Sequence, residues 1–268
     1  MGLNHEFETY EFDMSIFKIM KSAAKTLASY GGIQIARNSR IAARELLGLR
    51  RRNINTIIDV GANEGQFAKD ISRVFPSAVI YCFEPLPLTY EKLRSWAEDG
   101  HPQIRTFNLA LGEEEGKVEM YQHVEHSPSS SILIATDECV ELFPKVRRRQ
   151  RITVNATTLD KMFGDKSDLL NPEILIKLDV QGFEGRVLRG GTQTLRKSAA
   201  CIVEASLFKL YKDQTGFEDI VWFLRDWGFH YAGNLSQVYR KQGDVLFVDS
   251  VFVKDTAREH EYSDDRKI

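Results

Sequence analysis

The stretch Asp59-Val60-Gly61-Ala62-Asn63-Glu64-Gly65 decides how the rest of the chain is read. Residues 54–60 before it form a short apolar run, the pattern of a strand buried on both faces. Residues 66–75 after it read as a helix, stopped by Pro76. A glycine-rich turn between a strand and a helix lets the backbone bend sharply and approach a ligand with no Cβ in the way. The helix that follows offers unpaired N–H groups at its start.

Working outward, the same alternation repeats. Residues 79–83 form a second strand, ending at Glu84-Pro85, then 88–98 a helix and 104–109 a strand. Residues 117–122 and 151–155 read as strands around the serine-rich turn Ser127-Pro128-Ser129-Ser130-Ser131. Strands at 174–179 and 200–205 enclose a helical region at 183–195. A helix at 217–227 precedes two closing strands at 229–235 and 245–253. Strand–helix alternation of this kind marks βαβ units, so the expected fold is α/β with a mostly parallel, doubly wound sheet. Residues 1–50 form an N-terminal helical extension in this reading. One helix starts at Asp13 and carries Ile16, Phe17, Ile19, Met20, Ala23, Ala24 and Leu27 at helical spacing; a second covers 33–47 and stops at Gly48. Their apolar stripe is read as packing on the core, with a homodimer contact or a lid over the substrate as alternatives. The cofactor domain is 51–255, and 256–268 is a polar tail.

Composition excludes several classes. With 43% hydrophobic and 28% charged residues the chain matches an ordinary globular protein rather than a disordered one. A formal net charge of −2 gives no global field for nucleic acid, and none is expected as a partner. Cys82, Cys139 and Cys201 form no CxxC pair; Cys82 and Cys201 lie in apolar runs and are read as buried thiols, and the setting as reducing and cytoplasmic. The acidic start lacks the pattern of a secretory signal, and no apolar run approaches the roughly 20 residues of a membrane span.

Glu84 ends the second strand about 20 residues after the glycine loop, where a carboxylate can hold the two hydroxyls of a ribose. NAD and S-adenosylmethionine both carry that ribose. Two details favour S-adenosylmethionine. The loop is not GxGxxG, and Asp59 precedes its first glycine, where a carboxylate suits an ammonium and repels a phosphate. Bracing the loop by accepting backbone N–H bonds is a compatible role for Asp59.

Five motifs in order carry a family resemblance: Asp59-Val-Gly-Ala-Asn-Glu-Gly65, Phe83-Glu84-Pro85, Ala110-Leu111-Gly112, Lys177-Leu-Asp179-Val-Gln181-Gly182-Phe-Glu184, and Val203-Glu204. Over residues 54–253 the chain resembles the FkbM-type methyltransferases. The resemblance implies a class I methyltransferase fold of seven strands, the last antiparallel, with S-adenosylmethionine as methyl donor. It implies O-methylation of a hydroxyl on a saccharide or natural product, a small-molecule or saccharide acceptor. By the same resemblance Gly61, Ala62, Asn63 and Gly65 line the methionine part, Glu84 and Pro85 border the ribose, and Asn108 to Ala110 border the adenine. Many relatives carry Glu where this chain has Gln181, so no catalytic role is read for it.

A hydroxyl is a poor nucleophile while protonated, and a base at the acceptor helps. Asp179, at the end of a strand, is the first candidate, with capping of the next helix as its other reading. Glu184 and His126 are the further candidates. Lys177 shares a strand face with Asp179 and is expected to pair with Glu204 on the next strand. No metal site is assigned. The basic run Lys145, Arg147, Arg148, Arg149 and Arg151 is read as a solvated face, with an anionic acceptor or a membrane surface as the alternatives. The competing functional readings are an NAD-dependent oxidoreductase of Rossmann type and a non-catalytic cofactor-binding module.

Overall fold

In the computed structural model, which describes residues 46–164 and 173–254 and the backbone of Ile33–Ala36, the edge strand Ile33–Ala36 is β1. The strand leading into the glycine loop, β2 (Thr56–Val60), is buried throughout. Then come α1 (Gln66–Val74), β3 (Val79–Phe83), α2 (Pro87–Glu98), β4 (Ile104–Phe107), β5 (Ala110–Gly112) and β6 (Gly116–His123). They are followed by α3 (Asp137–Leu142), β7 (Arg149–Thr158), α4 (Leu159–Phe163), β8 (Ile174–Leu178), α5 (Glu184–Arg189) and α6 (Thr192–Lys197). The chain closes with β9 (Ser198–Ser206), α7 (Phe217–Asp226), β10 (Phe229–Arg240) and β11 (Val245–Lys254).

The main sheet has eight strands in the order β1-β10-β11-β9-β8-β2-β3-β4. From β4 to β9 the neighbours are parallel; β11 runs antiparallel between β9 and β10. This is the α/β class I methyltransferase architecture, with one strand more than the seven expected. The extra strand is β1, which pairs antiparallel with β10, Ile33 opposite Arg240. It corrects the start of the helix read over 33–47, of which 37–45 lie outside the described residues: Ile33 and Ile35 also fit the period of two of a strand, and pairing with an open edge decides between the patterns. The helix read from Asp13 and the tail 256–268 lie outside the described residues.

Two apolar layers cover the sheet, and alternation within each strand assigns residues to them. Ile57, Ile80, Leu175, Ile202 and Val251 pack under α1 and α2 with Ile71 and Leu93. Ile58, Phe83, Ile176, Val203 and Phe252 pack on the other face with Leu159, Leu188 and Leu224. β8, apolar except for Lys177 and buried along its whole length, fits this two-sided burial. Pro87 opens α2 at a position whose N–H has no helical partner, so its lack of a donor costs nothing.

Three details differ from the sequence reading. The helical region 183–195 is two helices, broken at Gly190-Gly191, where a Cβ on Gly190 would strike the carbonyl of Gly112. β6 and β7 pair antiparallel and join β5 in a separate three-stranded sheet, and the stretch between them holds α3 as well as the serine-rich turn. β10 continues past 235 to Arg240, through the mixed stretch Ser236-Gln237-Val238-Tyr239-Arg240, where Val238 is buried. Among the described residues no helix is long and apolar enough to cross a membrane.

Candidate functional site

The loop Gly61–Gly65 leaves β2 at the carboxyl edge of the sheet. Gly61 has φ +78°, and a Cβ there would run into the backbone carbonyl of Asp179 at the end of β8. The glycine therefore lets two neighbouring strand ends pass close together, an earlier requirement than making room for a ligand. Gly65 (φ +83°) opens α1, and a Cβ on it would sit 2.9 Å from Leu93 of α2. Gly61 and Ala62 are fastened to β3 through N–H bonds to the carbonyl of Phe83.

Glu84 sits at the seam between this loop and β3. The Asn63 N–H donates to its Oε2 at 2.9 Å and the Leu86 N–H to its Oε1 at 2.8 Å. Burial pushes the carboxyl up to about 7 against the lowering effect of those two bonds. Asn108 donates from Nδ2 to the carbonyls of Glu84 and Pro85, holding the loop from behind.

Two cavities meet at this edge. The smaller, about 70 Å³, is lined by Gly61, Asn63, Glu84, Pro85, Leu109 and Ala110 among others. The larger, about 410 Å³, runs from Gly61, Ala62 and Asn63 past His126, Asp179 and Glu204 to Asp249. Its far wall is apolar, with Phe143, Leu210, Val238 and Phe247. Gly61, Asn63 and Asp179 border both. Asn108 and Gly65 line neither and shape the loops around them.

The family model for the methyltransferase FkbM domain matches residues 59–231, from the first residue of the glycine loop motif into β10. The chain belongs to the FkbM methyltransferase family. It is a methyltransferase by that membership. The 2-O-methyltransferase NoeI of Sinorhizobium fredii (strain NBRC 101917 / NGR234) is 29% identical over 191 residues, covering 68% of this chain and 76% of that protein. Methyltransferase 1 of Beauveria bassiana is 27% identical over 144 residues, and the alignment spans 50% of this chain and 57% of that protein. Among solved structures, the methyltransferase FkbM from Methylobacillus flagellatus KT superposes with a TM-score of 0.44 at 12% identity, over 75% of this chain and 44% of that one.

The floor of the larger cavity in this FkbM methyltransferase is a charged network. Lys177 Nζ donates to Asp179 Oδ2 at 3.0 Å and lies 3.7 Å from Asp59 Oδ1. Burial alone would lower the ammonium's proton affinity, but the carboxylates of Asp179 and Asp59 outweigh it and hold Lys177 charged. The pairing expected between Lys177 and Glu204 is not the one formed. Register explains this: Asp59 is the direct neighbour of Lys177 across β2 and β8, whereas Ile202, not Glu204, stands beside it on β9. Asp59 is fully buried, lines neither cavity and accepts no hydrogen bond from the loop it precedes. Burial raises its carboxyl to about 6 despite the nearby ammonium.

Gln181, left without a role in the sequence reading, is the hub of the network. Its Nε2 donates to Asp179 Oδ1 at 2.9 Å and to Glu204 Oε1 at 2.6 Å. Its Oε1 lies 2.9 Å from the Tyr211 hydroxyl, which also reaches the Ser129 carbonyl at 2.9 Å. Glu184 lies behind the loop and lines neither cavity; its Oε1 accepts the N–H groups of Val180 and Gly182. His126 does line the larger cavity, with Nδ1 2.8 Å from Ser129 Oγ. Burial, helped by Lys145 and His123, pushes His126 down to about 4, so it is neutral at pH 7.

Tyr211, Glu204 and Asp249 border the same cavity and were not among the candidates. Asp249 had a signal: it occupies an inward position, in phase with Phe247 and Val251, inside an apolar strand. Tyr211 had none, because it lies in an irregular loop. The basic run behaves largely as a solvated face: Arg147, Arg148 and Arg149 are exposed, and the guanidinium of Arg149 lies 5.6 Å from the centre of the Tyr121 ring.

Proposed function

We propose that this protein transfers a methyl group from S-adenosylmethionine to a hydroxyl of a saccharide or natural-product acceptor. One observation carries the reading. A single cavity joins the glycine loop of β2 to a cluster of proton-accepting side chains at the ends of β8 and β9. Donor and acceptor can then meet at one edge of the sheet, outside the carboxyl ends of its strands.

The residues present suit the donor. Glu84 keeps lone pairs free beyond its two backbone bonds and faces the smaller cavity, as two ribose hydroxyls require. Asn63 Oδ1 is buried without a partner among the described residues, an acceptor suited to an N–H group. Leu109 and Ala110 give an apolar border for a base ring. When bound, S-adenosylmethionine supplies an electrophilic methyl carbon: the O–C bond forms as the S–C bond breaks, sulfur keeps the electron pair, and the hydroxyl proton passes to a base. The work left to this chain is to orient the acceptor oxygen, exclude water and take that proton. Asp179 accepts from Lys177 and Gln181 and borders both cavities, placed to accept a hydrogen bond from the acceptor hydroxyl.

Methyl transfer from radiolabelled S-adenosylmethionine to a panel of glycosides and phenolic acceptors tests the reading. Label in an O-methylated product is the expected result. Binding of the donor with no transfer to any hydroxyl, but transfer to amines, would overturn the acceptor class.

A further inference from the structure

Within the methyltransferase reading, on which this inference rests, we propose that Glu204 takes the proton from the acceptor hydroxyl and that Gln181 positions it. The two carboxylates at the cavity floor are not equivalent. Asp179 has both oxygens engaged, one by the Lys177 ammonium and one by the Gln181 amide. An oxygen already accepting from an ammonium or an amide has fewer lone pairs left for an incoming hydroxyl. Glu204 receives only the neutral amide of Gln181, on Oε1. Its Oε2 makes no hydrogen bond to any described residue, and the side chain lines the larger cavity.

The surroundings of Glu204 favour a proton. Asp249 is its direct partner across β9 and β11. Like charges directly opposite one another repel. Burial, then Asp179, Asp249 and Glu184, raise the carboxyl of Glu204 well above its ordinary value, and Lys177 offsets this only in part. Tyr211 completes the ring of groups around it through Gln181 Oε1. A base must hold the proton it removes, and Glu204 is the carboxylate built to do so. The O–H bond of the acceptor breaks, an O–H bond forms at Glu204 Oε2, and the proton then leaves to solvent through the cavity.

The network also explains an amide at 181. Both N–H groups of Gln181 point at carboxylates, Asp179 and Glu204. A fourth carboxylate, at this position, would supply no donor and add charge to a floor that already holds Asp179, Glu204 and Asp249.

The test compares wild type with Glu204→Gln, Asp179→Asn and Gln181→Met, using 4-nitrophenyl glycosides as probe acceptors. These offer sugar hydroxyls on an apolar ring that suits the Phe143, Leu210, Val238 and Phe247 wall. Glu204→Gln keeps the side-chain shape and is expected to cut kcat by about 10² or more, abolish the acid limb of the pH profile, and leave S-adenosylhomocysteine affinity within about twofold. Asp179→Asn is expected to lose less activity than Glu204→Gln. Gln181→Met removes a donor that favours the carboxylate, so the acid limb should move to higher pH; a purely structural loss lowers the rate at every pH without moving it. A second readout needs no turnover. In ¹³C NMR of protein labelled at glutamate carboxyls, one resonance titrating well above the ordinary range should vanish in Glu204→Gln. Near-normal kcat in Glu204→Gln, or titration of Glu204 at an ordinary carboxylate pH, overturns the assignment. Failure of wild type to bind S-adenosylhomocysteine overturns the methyltransferase reading itself, a separate outcome.

Discussion

Lys177 and Asp59 face each other across β8 and β2, in register, with Nζ 3.7 Å from Oδ1 and both side chains buried. Two charges on the central strands of a parallel sheet are costly unless each offsets the other. Lys177→Met removes the ammonium and leaves Asp59 and Asp179 with no cation in contact. It should destabilise the fold by about 3 to 5 kcal/mol, the usual cost of breaking a buried pair from one side. Urea unfolding measures this. The double variant Lys177→Met with Asp59→Leu should recover much of the loss, and a double variant as unstable as the sum of its parts would refute the pairing.

Glu84→Ala should weaken S-adenosylhomocysteine binding by roughly 1.5 to 3 kcal/mol, the range of a charge-assisted hydrogen bond. The same change strands the N–H groups of Asn63 and Leu86, so Glu84→Gln is the better-matched control. Calorimetry on both variants reads the effect, and unchanged affinity in both excludes Glu84 from the donor site.

Gly61→Ala places a methyl against the Asp179 carbonyl at a backbone angle that L residues adopt at a cost of roughly 1 to 2 kcal/mol. The variant should melt below wild type with or without cofactor, because the clash is between two strand ends of the protein. A normal melting temperature with lost cofactor binding would show instead that the glycine serves the ligand alone.

Glu184 supplies a test by pH. Burial raises its carboxyl to about 7, above its ordinary value of 4.5, against the lowering effect of its backbone bonds. For a raised folded-state pKa, the stabilising contribution is fully present below about 4.5 and is lost as pH climbs through about 7. Glu184→Gln keeps the acceptor oxygen for Val180 and Gly182 and carries no charge. Its stability relative to wild type should therefore grow from pH 4.5 to 7 and then level off, by at most about 3 kcal/mol. Denaturant midpoints across that range check it; a flat difference would mean that the carboxylate ionises freely. Retained activity in the same variant would confine Glu184 to holding the loop.

The strands and helices of the core were legible because their patterns are strong. β2 and β8 are short, mainly apolar strands that each carry a single charge, Asp59 and Lys177, and the glycine loop between β2 and α1 names its own geometry. β1 was not legible, because four residues fit a helix and a strand alike until an open edge of β10 is there to pair with them. The same limit applies to the site. Glu84 and Asp179 follow from strand ends, which local pattern locates. Glu204, Gln181, Tyr211 and Asp249 meet only through cross-strand register and a loop fold, which local pattern does not encode.

The exposed Arg147, Arg148 and Arg149 provide a further check on the acceptor. Changing all three to Ala should leave S-adenosylhomocysteine affinity and stability unaltered, since these side chains lie outside both cavities. If nucleotide-linked sugars are methylated, their KM should rise and lose salt dependence in the triple variant, whereas uncharged glycosides should not respond. Equal KM values for both acceptor types in the variant and in wild type return the run to a solvated face.

The central claim is that the edge of β2 and β3 is a donor site for S-adenosylmethionine, and one titration tests it most directly. Isothermal calorimetry of the full chain is run with S-adenosylhomocysteine, S-adenosylmethionine and NAD under one set of conditions. The account predicts saturable one-to-one binding of the two sulfur compounds, weakened by Glu84→Ala, and no binding of NAD. Saturable binding of NAD, with none of either sulfur compound, would contradict it.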